Sequence, residues 1–146
     1  MLARRPLSEA EVALRLAGKG VPEPEVAGTV ARLRDLGLLD DAALCTQLAR
    51  SWQESRRYGP AKIARSLAAR RFPRGLVEAA LREVASATAV AGAAAAALRK
   101  RFRGGIPPGR ENAARAYRFL AGRGFPPEVC RAAVGRRASD TPEGDD

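Results

Sequence analysis

At 146 residues the chain has room for one ordinary domain or a short array of smaller units. It is 46% hydrophobic but only 5% aromatic, carries a net charge of +10, and contains two cysteines and no histidine. That composition excludes the usual zinc spacings and any histidine-based triad or general base.

In chain order, Ser8 with Glu11 three residues on predicts a capping box at the start of a helix whose inner face carries Val12 and Leu16. Gly20 ends it, and Pro22 opens a second helix, with Pro at the first helical position and Val26 and Val30 inward. Asp40 or Asp41 caps a third, with Leu44, Leu48 and Trp52 as its inner stripe. Tyr58-Gly59-Pro60 closes that helix and begins another, carrying Ile63 and Leu67. After Pro73 comes a helix with Val77 and Leu81, then an Ala-rich helix over 90–102 ending in Arg99-Lys100-Arg101. Gly104-Gly105-Ile106-Pro107-Pro108-Gly109 reads as a loop. A helix from near Glu111 carries Ala116 and Leu120, and the last one ends near Val134. The remainder is polar and acidic, which predicts a disordered tail over 138–146.

Three of these turns are copies of one another. Leu16-Ala17-Gly18-Lys19-Gly20-Val21-Pro22, Leu67-Ala68-Ala69-Arg70-Arg71-Phe72-Pro73 and Leu120-Ala121-Gly122-Arg123-Gly124-Phe125-Pro126 begin 51 and 53 residues apart. Ten residues after each leucine stand Val26, Val77 and Cys130, and fourteen after stand Val30, Leu81 and Val134. Agreement at this many offsets marks an internal repeat. Arg71 departs from it, occupying a left-handed position that glycine fills in the other two copies, at a cost of about 1 kcal/mol. The expected fold is all-α: three tandem, degenerate, three-helix repeats of helix-turn-helix type over 5–58, 59–103 and 104–137, stacked into an elongated or curved body.

The charge is uneven. Residues 1–40 hold six basic and six acidic side chains, whereas 41–137 hold twenty basic and six acidic. Such an excess steers polyanions toward the body of the protein. Arg50, Arg56, Arg57, Lys62, Arg65, Arg70, Arg71 and Arg74 crowd the junction of the first two units. Arg99, Lys100, Arg101 and Arg103 gather at a helix end, and Arg115, Arg118, Arg123 and Arg131 belong to the third unit. Arginine suits bidentate contact with phosphate or carboxylate. Without aromatic interleaving or a base-reading motif, sequence-specific recognition is not indicated.

A catalytic constellation is missing. Asp40-Asp41 is explained by capping, the 104–109 loop lacks the Gly-Lys-Ser/Thr of a phosphate cradle, and Cys45 and Cys130 fall on inner stripes as reduced core thiols. The expectation is a non-enzymatic binding protein with no metal and no cofactor. No apolar run approaches a transmembrane span, and Met1-Leu2-Ala3-Arg4-Arg5-Pro6 does not read as a secretory signal. A cytoplasmic monomer with no membrane partner is therefore expected.

At Arg5-Pro6-Leu7-Ser8-Glu9-Ala10-Glu11-Val12, Lys19-Gly20-Val21, Leu36-Gly37-Leu38-Leu39-Asp40-Asp41, the Arg-Arg-Tyr58-Gly59-Pro60 stretch with Ile63 and Leu67, and Phe119-Leu120-Ala121-Gly122-Arg123-Gly124-Phe125, the chain resembles the RecX family, regulators of the RecA recombinase. The resemblance implies a stack of three-helix units lying in the groove of a RecA filament on DNA. There it would bridge neighbouring subunits, block extension, and suppress ATP hydrolysis, strand exchange and co-protease activity. The positive surplus, apart from the resemblance, makes weak direct DNA binding a further expectation. Family members usually carry a further helix before the Arg-Pro stretch, and this sequence starts almost on that stretch. Leu44 stands where an aromatic is typical, and Arg71 where glycine is. The rival expectation is a helix-turn-helix protein acting directly on promoter or nucleoid DNA. Three copies without a base-reading helix argue against it.

Overall fold

The computed structural model describes residues 5–139, which form eight α-helices and, among the described residues, no strand. They are α1 (Glu9–Gly18), α2 (Glu23–Asp35), α3 (Asp41–Ser55), α4 (Pro60–Ala69), α5 (Arg74–Val84), α6 (Ala87–Arg101), α7 (Arg110–Gly122) and α8 (Pro127–Ser139). Among the described residues no single helix is long and apolar enough to cross a membrane. The stretch read for a secretory signal, before Arg5, and the acidic stretch 140–146 lie outside the described residues.

Capping fixes the helix starts. The Ser8 hydroxyl accepts from the Glu11 N–H at 3.1 Å while the Glu11 carboxylate accepts from the Ser8 N–H at 2.8 Å, the reciprocal box expected at α1. Asp40, rather than Asp41, caps α3 by accepting from the Ala43 N–H. Ser86, absent from the sequence reading, caps α6 in the same way and starts it at Ala87.

The three repeated turns are one structure. Val21, Phe72 and Phe125 donate their N–H groups to the carbonyls of Leu16, Leu67 and Leu120 at 3.1, 3.3 and 3.2 Å. Gly20, Arg71 and Gly124 donate to Ala17, Ala68 and Ala121. This bond pair needs a left-handed residue at its centre, and φ there is +84°, +65° and +91°. The prolines stand one position earlier than expected. Pro22 and Pro73 are N-caps whose carbonyls accept from Val26 and Val77, and Pro126 accepts from Cys130 alike. The first-position role falls instead to Pro60 in α4 and Pro127 in α8.

Three cores lie in a row. Val26, Val30 and Leu39 form the smallest, between α1 and α2. In the second, Leu44, Cys45 and Ala49 of α3 pack on Ile63, Leu67, Val77, Ala80 and Val84. The third sets Ala94, Ala97 and Leu98 of α6 against Ala116, Leu120, Cys130 and Val134. The buried clusters thus group the helices as α1–α2, α3–α5 and α6–α8, one helix out of phase with the boundaries 5–58, 59–103 and 104–137. A repeated turn fixes the period of an array but not which helix opens a unit. Trp52 is half-buried at the rim of its core, and Gln53 is buried in its place, donating to the Val84 carbonyl at 3.0 Å at the end of α5.

The last helix also runs further than expected, to Ser139 rather than Val134, so residues 138–139 of the expected tail are helical. The Arg137 guanidinium donates to the carbonyls of Phe102 and Arg103 at 2.6 and 2.9 Å, tying the final turn to the end of α6. Arg136 and Arg137 also face the negative end of the helix dipole.

Successive units are clasped alike. The start of α1 sits on the end of α4: the Ser8 hydroxyl donates to the Arg70 carbonyl at 3.2 Å, and the Arg70 guanidinium donates to Pro6 and to Glu11, both at 2.7 Å. The Glu9 N–H adds a bond to the buried Asp41 carboxylate at 2.9 Å. In the next junction the start of α4 sits on the end of α7, with Gly59 in the place of Ser8 and Arg123 in the place of Arg70. The Gly59 N–H donates to the Arg123 carbonyl at 2.7 Å and the Ala61 N–H to Gly124 at 3.1 Å.

Candidate anion-binding site

The second junction forms one wall of a cleft, and its shape follows from the turn that closes α3. The Tyr58 N–H returns to the Trp52 carbonyl at 3.2 Å, which draws Arg57 into a left-handed conformation with φ +55°. For a residue with a Cβ that conformation costs roughly 1 kcal/mol. Gly59 then lies flat on the α7–α8 turn, where a Cβ would stand 2.5 Å from the Gly124 backbone. The Arg123 guanidinium reaches back to the carbonyls of Arg56 and Arg57. Backbone contact this close is open only to glycine.

The result is a cleft of about 520 Å³ between the second and third units. The α3–α4 turn brings Arg56 and Arg57, α4 brings Lys62, the last turn of α6 brings Lys100 and Arg101, and the end of α7 brings Arg123. Tyr58, Ala97 and Phe119 supply the apolar lining, and among the described residues no carboxylate lines it. The rings seat the cations. Lys62 Nζ is 4.8 Å from the Tyr58 centroid, and Arg123 Cζ is 5.4 Å from Tyr58 and 5.5 Å from Phe119. Phe119 is braced edge-to-face by Phe102, with centroids 6.4 Å apart. Arg56, hydrogen-bonded to the Tyr58 hydroxyl, holds it below the ordinary phenol value, with help from the charges of Lys62 and Arg123. The Arg57 Nε is buried with no hydrogen-bond partner.

The other sequence candidates are dispersed. Arg70 is taken up by the first junction, where its side chain is 12% exposed. Arg74 pairs with Glu78 at 3.0 Å one helical turn away. Arg50 lies in an open groove beside Glu54 and Glu83, and Arg99 lines a small pocket with Arg136 and Arg137. Arg65, Arg71, Arg103, Arg115, Arg118 and Arg131 are exposed outside the cleft. Sequence reasoning missed Tyr58 and Phe119 as part of the site. They come from distant positions, so neither Arg56-Arg57-Tyr58 nor Arg118-Phe119 alone announces a shared cleft. Both cysteines are fully buried, and burial pushes the Cys45 thiol up to about 11, with the Asp41 charge adding to it. Burial raises Cys130 likewise. Neither presents a thiolate near neutral pH, as expected of core thiols.

Comparison with known proteins agrees with the grouping of the helices. The first, second and third three-helix domains of RecX match residues 1–33, 40–81 and 92–134, so the second and third domains begin at or within α3 and α6. A regulatory protein RecX of Thermus thermophilus is 39% identical over 128 residues, covering 86% of this chain and 79% of that protein. That of Halorhodospira halophila is 34% identical over 149 positions, covering 99% and 88%. Among solved structures, RecX from Lactobacillus salivarius superposes with a TM-score of 0.79 at 18% identity, over 90% of this chain and 86% of that one. A crystal structure of a regulatory protein RecX superposes at 0.75 with 22% identity, over 90% of this chain but 64% of the other. The structural likenesses bear on the fold, and the sequence matches carry the kinship: this chain belongs to the RecX family.

Proposed function

We propose that this chain is a cytoplasmic, non-enzymatic negative regulator of the RecA recombinase, acting as a monomer in the groove of the RecA–DNA filament. Bound there it blocks filament extension and suppresses ATP hydrolysis, strand exchange and co-protease activity. The observation that carries this reading is the run of three RecX domains across residues 1–134, whose relatives are named regulatory proteins. Two features of the molecule support it. Three units clasped end to end suit a groove lined by repeating subunits. The cleft of Arg56, Arg57, Lys62, Lys100, Arg101 and Arg123 offers uncompensated cations to phosphates or carboxylates along that groove.

Fluorescence anisotropy on labelled single-stranded DNA, naked or coated with RecA, tests the reading. The filament should be bound more tightly than naked DNA. Binding to naked DNA should fall steeply with salt, because phosphate contacts act through counterion release. Equal affinity for both at every salt concentration would favour a protein that acts on DNA directly.

A further inference from the structure

The cleft between the second and third units holds more positive charge than its own lining neutralises. Arg56, Arg57, Lys62, Lys100, Arg101 and Arg123 share about 520 Å³ of space, with no lining carboxylate among the described residues. Cations gathered this way repel one another, and an anion between them relieves the repulsion. Their arrangement says what kind of anion. A nucleic-acid strand spreads one charge per phosphodiester along its length and is met by basic residues in series. Here the charge converges on one pocket, which suits several negative charges within a small volume.

Arg57 agrees with this. It holds a left-handed backbone at φ +55°, and its Nε is buried without a hydrogen-bond partner. Strain of that kind in a residue other than glycine collects at ligand sites. Tyr58 and Phe119 seat the neighbouring cations and give the cleft an aromatic wall.

We propose that this cleft is a binding site for a compact polyphosphate, the di- or triphosphate group of a nucleotide, held by Arg57, Lys62, Lys100 and Arg101 beside the Tyr58 ring. A bound polyphosphate occupies the cations offered to the filament, so the two compete and nucleotide concentration sets how much of the protein is free to act. The inference concerns the cleft used in the filament reading but needs no RecA, because the protein alone is titrated.

Isothermal titration calorimetry of the full chain with pyrophosphate, orthophosphate and oligo(dT) at matched ionic strength decides it. Pyrophosphate should bind at one site, about tenfold more tightly than orthophosphate, and ADP and ATP should displace it. The pair Lys62→Gln and Lys100→Gln should weaken pyrophosphate about tenfold, whereas Arg65→Gln with Arg118→Gln, outside the cleft, should leave it unchanged. Equal binding of the two phosphates would overturn the proposal. So would oligo(dT) binding that the cleft pair weakens while pyrophosphate goes unbound, which would mark a strand groove. If the cleft pair does not fold, the preference of the unaltered protein between the two phosphates decides alone. Retained filament binding without pyrophosphate binding sinks this inference and leaves the filament reading standing.

Discussion

Replacing Glu11 with glutamine tests how the first unit is held. The Glu11 side chain is 16% exposed and accepts from Arg70 at 2.7 and 3.1 Å, from the Ser8 N–H at 2.8 Å and from Arg5 at 2.9 Å. The Arg70 hydrogen bond leads these in bringing its carboxyl from 4.5 down to about 2. An acid whose folded pKa is depressed contributes stability above its unfolded value and loses it as pH falls through the folded one. The window therefore runs from about 4.5 down to about 2, and a shift of this size corresponds to about 3 kcal/mol. Glutamine keeps an oxygen for the capping box but removes the charge. Glu11→Gln should accordingly cost about 2–3 kcal/mol at neutral pH and almost nothing near pH 2. Urea unfolding of both proteins, followed by circular dichroism at steps from pH 7 to pH 2, reads the difference. Asp41, whose carboxyl is raised by burial and in part by the Glu9 and Glu11 charges, works in the opposite sense, and its smaller shift in the variant offsets a little of the loss at neutral pH. The loss should sit in α1 and α2, seen as faster amide hydrogen exchange there while α6–α8 stay protected. A difference that stays constant across the window would refute the assignment.

Three further substitutions probe the array. Leu67→Ala, at a fully buried position, should cost about 2–5 kcal/mol, whereas Leu16→Ala, at the equivalent but half-buried site, should cost less than half as much; equal thermal shifts would contradict this. Gly59→Ala drives a Cβ into the Gly124 backbone and should open the junction, so that calorimetry resolves the α3–α5 and α6–α8 units as separate transitions; an unchanged single transition would count against the clasp. Arg71→Gly relieves a φ of +65° and should raise stability by roughly 1 kcal/mol, so a lower melting temperature would contradict the strain argument.

Much of the fold is legible in the sequence because its signals are local. Ser8 with Glu11, Gly20, Gly124 and the leucines at 16, 67 and 120 each act within one turn of chain, and each does what its chemistry dictates. Phase was not legible, since whether α3 closes one unit or opens the next depends on Leu44 and Cys45 finding Ile63 and Val77 across space. The site was legible only as an inventory of cations. Arg56 and Arg57 stand next to Arg70 in any charge count, yet Glu11 consumes Arg70 from far away in sequence while the other two face the cleft. Tyr58 and Phe119 line one cleft where Gly59 and Gly124 let two turns touch, and a sequence pattern carries no trace of that touch.

The central claim is that this chain restrains RecA, and the direct measurement is ATP hydrolysis by RecA on single-stranded DNA as purified protein is added. The account predicts that hydrolysis falls as the chain saturates the filament. The chain alone should hydrolyse no ATP. A variant with Lys62→Gln, Lys100→Gln and Arg101→Gln, folded by circular dichroism, should need substantially more protein for the same effect. Undiminished hydrolysis at saturating protein would contradict the account.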